Sequence, residues 1–134
     1  MKKCSWLVLL AVSCAVMQSL SCSSGQRLQS IAVTPATAKF LDPVTIVNFQ
    51  LTATGTYTHP PATKDITDQV TWTVDVNNLI TVSNAGLVTL AGTGACGVAN
   101  VKASLKTDNP SGNVVAGTMT VTVADSTHPE CPQP

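Results

Sequence analysis

The chain has 134 residues, enough for one domain of ordinary size. Only 10% of its residues are charged and 4% aromatic, and seven basic residues balance seven acidic ones. That composition argues against a nucleic-acid binder, which needs a clustered basic surface. The many Thr, Ser and Asn residues set among apolar ones argue equally against a disordered acidic tail.

The N-terminus differs from the rest of the chain. Lys2 and Lys3 precede an apolar run from Trp6 to Met17, broken only by Ser13 and Cys14. This is the layout of a secretory signal. The run is too short for a spanning helix, which needs roughly 20 apolar residues. It ends in "QSLSCSSG" (18–25), a Cys with small residues on both sides, which resembles a bacterial lipoprotein signal. The resemblance implies that Cys22 becomes the first mature residue and carries lipid on its thiol and amine. That family prefers Leu three residues before the Cys, whereas this chain has Ser19 there and Leu20 one place later. Cys14, in "LAVSC", is the second candidate, and cleavage without lipid is a third reading. The expectation is a signal peptide over 1–21, a flexible linker over 22–27, and an exported protein held to a membrane by its lipid. Losing Lys2 and Lys3 with the leader leaves Arg27, Lys39, Lys64, Lys102 and Lys106 against seven acids, a surface with no strong steering field.

Beyond the linker the apolar residues recur with period two, the signal of half-buried strands. Ile31 and Val33 open the domain, and Pro35 should end that strand because it lacks an N–H. In "VNFQLTATGTYT" (47–58), Val47, Phe49, Leu51, Ala53, Gly55 and Tyr57 fall on one face, with Asn, Gln and Thr on the other. Val70, Trp72 and Val74 alternate with Thr71, Thr73 and Asp75. Ile80 and Val82 precede the turn "SNAG", and Val88 and Leu90 come after it. Ala99, Val101, Ala103 and Leu105 form the sixth run, and Val115, Gly117, Met119, Val121 and Val123 the last. Turn residues separate the runs at 41–43, 58–65, 75–78, 92–97 and 107–113. No mature segment keeps a helical period. About seven short strands with one apolar face each predict an antiparallel β-sandwich over 28–124, with a tail over 125–134.

Taken in order, "LQSIAVTPATAKF", "FQLTATGTY", "DITDQVTWTV", "ITVSNAGLVTL" and "GTMTVTV" resemble the group 2 bacterial immunoglobulin-like domain, from residue 28 to about 123. The resemblance implies an Ig-like sandwich, found in bacterial surface proteins as spacer, adhesion unit or accessory domain. A fold of this kind does not by itself name a function. The chain holds one copy of the pattern. It departs from the family at "LAGTGACGVANV" (90–101), which is longer than the usual Gly-Thr turn and carries Cys96.

In such a sandwich a Trp on the third strand packs in the core, so Trp72 is expected to be a core residue rather than a binding surface. Phe40 and Tyr57 are then the only aromatic candidates outside the core, and Tyr57 lies on an apolar face. The family's sixth and seventh strands are antiparallel neighbours. That places the chain near 98 beside the chain near 123, and residues 124–130 can bridge the remaining gap. Cys96 and Cys131, an even pair in an oxidising setting, are therefore expected to form a disulfide.

Chemistry-bearing motifs are sparse. There is no Cys-x-x-Cys, His-x-x-x-His or Gly-x-Ser-x-Gly. His59 ("THPP") and His128 ("THPE") read as solvated loop residues with no Cys, Asp or Glu at ligand spacing, so no metal site is expected. Asp65 and Asp68, in "KDITDQ", read as turn caps rather than calcium ligands, because calcium takes six or more oxygens. Neither a catalytic residue nor a cofactor is expected. The functional expectation is a non-enzymatic, lipid-anchored module of the bacterial cell envelope, at the outer membrane or cell surface. Its role would be structural or adhesive; the alternative is an adhesin whose loops bind a specific glycan or protein. No ligand-binding residue can be named from the sequence.

Overall fold

The computed structural model describes residues 25–41, 48–92, 96–108, 111–125 and 128–132. The expected leader, Cys14, the lipidation candidate Cys22 and Val47 lie outside the described residues. The described residues are all-β, with no helix among them.

Among the described residues there are ten strands where about seven are expected, and each addition has a local cause. The opening strand is two: β1 (Arg27–Thr34) pairs antiparallel with β4 (Thr52–Thr58), while β2 (Thr37–Leu41) pairs parallel with β10 (Val114–Ala124). Pro35 stands at the crossing, where a missing N–H costs nothing because the chain is leaving one ladder for another. The long run at 47–58 also divides. Leu51 donates its N–H sideways to Gly86 O (2.9 Å), and this separates β3 (Asn48–Gln50) from β4. The third addition is β5 (Ala62–Asp65), which pairs with β4 inside the stretch 58–65 read as a turn.

The other strands obey the expected alternation. β6 (Thr71–Val74), β9 (Gly97–Lys106), β10 and β2 make one four-stranded sheet in the order β2-β10-β9-β6. Facing it are β1-β4-β5 and β3-β8-β7, joined through the continuous chain of β3 and β4, where β7 is Ile80–Val82 and β8 is Leu87–Leu90. Among the described residues all pairings are antiparallel except β2 with β10. The inward residues of the two layers make one core: Ile31, Leu51, Ile66, Ile80, Val88, Val101, Met119 and Val121 are all buried.

Trp72 is in that core at 7% exposure, and its Nε1 donates to Thr67 O at 3.1 Å. Burying the ring without a partner for its N–H would cost a lost hydrogen bond, so the Thr67 carbonyl is part of what makes the position a tryptophan site. Phe40 corrects the expectation for it: at 1% exposure it is a core residue, with its ring 5.2 Å from that of Phe49. The two β-layers are drawn tight at Gly117 on β10. A Cβ there would lie 2.3 Å from Ile31 O, so only glycine lets β1 cross over β10.

Candidate functional site

The strand register places two polar features at opposite ends of the sandwich. β9 runs from Gly97 to Lys106 and β10 returns from Val114 to Ala124, with Val123 opposite Gly97 and Val114 opposite Lys106. Cys96 is thus at one end of this pair, and Thr107, whose N–H donates to Asn113 O (2.9 Å), is at the other.

At the first end the expected cross-link is present. Cys96 and Cys131 are bonded, with Cα atoms 5.5 Å apart, inside the range a disulfide allows. The tail doubles back because Cys131 N–H donates to His128 O (3.0 Å), a tight turn that sets His128 and Cys131 side by side. His128 Nδ1 lies 2.8 Å from Asp125 Oδ2, and Asp125 is buried while the His128 side chain is 60% exposed. The buried carboxylate is stabilised by that contact, since a carboxylate taken from water without a partner is strongly disfavoured.

This corrects the reading of His128 as a solvated residue with no ligand neighbour. A carboxylate oxygen of Asp125, a ring nitrogen of His128 and Sγ of Cys131 lie within 4.8 Å of one another. The signal is present in the sequence as Asp-x-x-His-x-x-Cys, three residues apart on each side, and it is masked because Cys131 also reads as half of a disulfide. In the bonded state Cys131 has no thiolate to offer, and a thiolate is what ligates metal. His59 is different: it stands in an exposed turn after β4, with a positive φ of 57° that few non-glycine residues adopt.

The opposite end carries a cleft of about 490 Å³ lined by Gln26, Arg27, Leu28, Tyr57, Leu105 and Lys106, among others. Lys64 reaches over the Tyr57 ring, 5.0 Å from its centroid, and also hydrogen-bonds Gln26 Oε1; Gln26 Nε2 donates to Pro60 O (3.1 Å). Gln26 and Arg27, expected in the flexible linker, are therefore stitched to the domain.

Between the ends, the carboxylates serve the fold. Asp65 Oδ1 accepts from Thr67 Oγ1 (2.6 Å) and from Thr67 N–H (2.9 Å), and these two bonds hold its pKa below the ordinary carboxylate value. Thr67 Oγ1 in turn accepts from Ala53 N–H (2.9 Å), which ties the turn to β4. "DITDQVTW" is thus a closed unit: Asp65 fixes Thr67, whose hydroxyl holds β4 and whose carbonyl holds Trp72. Asp68 is exposed in the same turn. On the outer face, Asp75 Oδ1 accepts from Asn100 N–H (2.7 Å) and Oδ2 from Asn100 Nδ2 (2.8 Å), which lowers its pKa; Asn100 Oδ1 accepts from Thr120 Oγ1 (3.0 Å).

An all-β sandwich carrying the Cys96–Cys131 disulfide is the class of protein the described residues define. No protein-family model and no curated protein matches the chain.

Proposed function

We propose that the chain is a non-enzymatic, lipid-anchored module of the bacterial cell envelope, of the group 2 bacterial Ig-like type, with a structural or adhesive role. The Cys96–Cys131 disulfide is the observation that carries this reading, because disulfides persist in exported, oxidising settings. The leader-like layout of Lys2, Lys3 and the apolar run to Met17, with Cys22 after it, is in keeping with that setting.

Anchoring at Cys22 would orient the domain. Four residues separate Cys22 from Arg27, and extended chain spans at most ~3.6 Å per residue, so the end with Arg27 and Tyr57 would face the membrane. The disulfide end would then face outward, and its loops would be the ones open to a glycan or protein partner. The test is metabolic labelling with palmitate in a bacterial host. Cys22→Ala should lose the label and leave the membrane fraction. Label and membrane retention unchanged in that variant would overturn the anchor.

A further inference from the structure

The cluster at the disulfide end combines features not accounted for by a cross-link alone. Cys96 precedes β9, and Asp125 comes directly after β10, so two of its members sit on the ends of a paired, rigid strand ladder. His128 and Cys131 sit on a hydrogen-bonded turn that folds back onto them. Three ligand atoms already lie within 4.8 Å of one another, and the fourth, Sγ of Cys96, is bonded to one of them.

We propose that this is a latent zinc site, with disulfide and metal as alternative ties for the same tail. When a dithiol or a phosphine opens the Cys96–Cys131 bond, the two sulfurs, a ring nitrogen of His128 and a carboxylate oxygen of Asp125 bind one zinc-class divalent ion. The disulfide takes two electrons and two protons, giving two thiols. A dithiol supplies both and leaves as its own cyclic disulfide, whereas a phosphine supplies the electrons and leaves as its oxide, with water giving the oxygen and the two protons. The ion then displaces both thiol protons to solvent.

Two sulfurs, one imidazole and one carboxylate are a zinc-type set of four. Calcium and magnesium want oxygen ligands in larger number and do not suit it. The geometric demand is small. Tetrahedral coordination at a Zn–S distance of about 2.3 Å puts the two sulfurs about 3.8 Å apart. Cα atoms 5.5 Å apart allow that separation by side-chain rotation. Opening the His128–Asp125 separation from 2.8 Å to about 3.3 Å puts the two ligand atoms at adjacent vertices at zinc distances.

The experiment uses the full chain, reduced with a phosphine and titrated with Co²⁺ as a spectroscopic probe, with Zn²⁺ as competitor. The Cys96→Ser/Cys131→Ser variant retains Cys4, Cys14 and Cys22 and so gives the background from those thiols. Reduced wild-type protein should add to that background the thiolate-to-cobalt charge-transfer band and the intense visible bands of tetrahedral cobalt, both removed by zinc. Oxidised wild-type protein should match the background. Because the His128 side chain is largely exposed, His128→Gln should fold, and it should weaken binding by about tenfold or more. Asp125→Asn should weaken it in the same direction. A reduced wild-type spectrum equal to background, or an unchanged affinity in His128→Gln, would overturn the site.

Discussion

The two ends of the sandwich are closed by different chemistry. At the Arg27 end the chain is held by solvent-exposed contacts: Gln26 to Pro60, Lys64 to Gln26, and Lys64 over Tyr57. At the Cys96 end it is held by a covalent bond backed by a buried carboxylate and its histidine. The difference comes from what each segment offers. Arg27 is already the first residue of a strand and needs only fine positioning, since β1 is anchored through Ile31 and Val33 in the core. The tail after Ala124 has no apolar alternation of its own, so burial cannot dock it and a cross-link does. A sandwich thus takes its stability from the middle, and each end borrows from it according to its own sequence.

The sharpest way to break the comparison is to remove what both ends share. Trp72→Ala should cost about 3–5 kcal/mol, as large-to-small aromatic changes in cores do. Against a total of about 5–15 kcal/mol, the variant should be at or near the edge of folding. Denaturant unfolding checks it, and a wild-type midpoint would mean the ring carries no core packing. Cys96→Ser/Cys131→Ser should come next. The bond spans a sequence separation of 35 residues. On the chain-entropy account, a loop of that size contributes about 3–4 kcal/mol. Its loss should be accompanied by rapid amide exchange in 128–132 while 25–30 stays as in wild type; equal exchange at both ends would erase the difference between them.

A smaller, pH-dependent effect separates the turn from both ends. The folded-state pKa of Asp65 lies below the ordinary aspartate value of 3.8, chiefly through the Thr67 hydroxyl and then the Thr67 N–H. Its contribution is therefore present above pH 3.8 and is lost as pH falls through the lowered value. Asp65→Asn should be less stable than wild type at neutral pH, and the two should converge on acidification below that window. Parallel stability curves would mean the Thr67 bonds do not matter. The smallest effect should be Lys64→Ala, because an exposed cation–π contact contributes only about 0.5–1 kcal/mol. A loss as large as that of the disulfide would show that the Arg27 end is held by more than surface contacts.

Alternation makes most of the sandwich legible, because burying one face of a strand forces it: Val70, Trp72, Val101, Met119 and Val121 all lie inside as their period requires. The disulfide is legible for a related reason, since antiparallel neighbours fix which residues share an end. The features that escape a reading of the sequence are non-local or unpatterned. β5 is four residues of Ala-Thr-Lys-Asp after two prolines, an edge strand with almost no apolar face, recognisable only by its pairing with β4. Phe40 reads as peripheral because its burial depends on β2 lying parallel to β10, which is remote in sequence, and on the Phe49 ring, which the pattern of its own strand does not show. Asp125 and His128 carry no signal one at a time, and their meaning lies in the turn that folds them onto Cys131.

The parallel pairing of β2 with β10 has a mechanical consequence. Five residue pairs, from Thr37 with Thr120 to Leu41 with Ala124, join strands that run the same way. Tension drawn from the N-terminal side of β2 and the C-terminal side of β10 slides one strand along the other, loading the ladder in shear so that its hydrogen bonds must give way together. An antiparallel pair pulled from adjacent ends would open one bond at a time. A pull on the tail beyond Cys131 is divided further, because the disulfide passes part of the load into the start of β9. The crossing at Pro35 thus gives this small domain a built-in resistance to being drawn out by its ends.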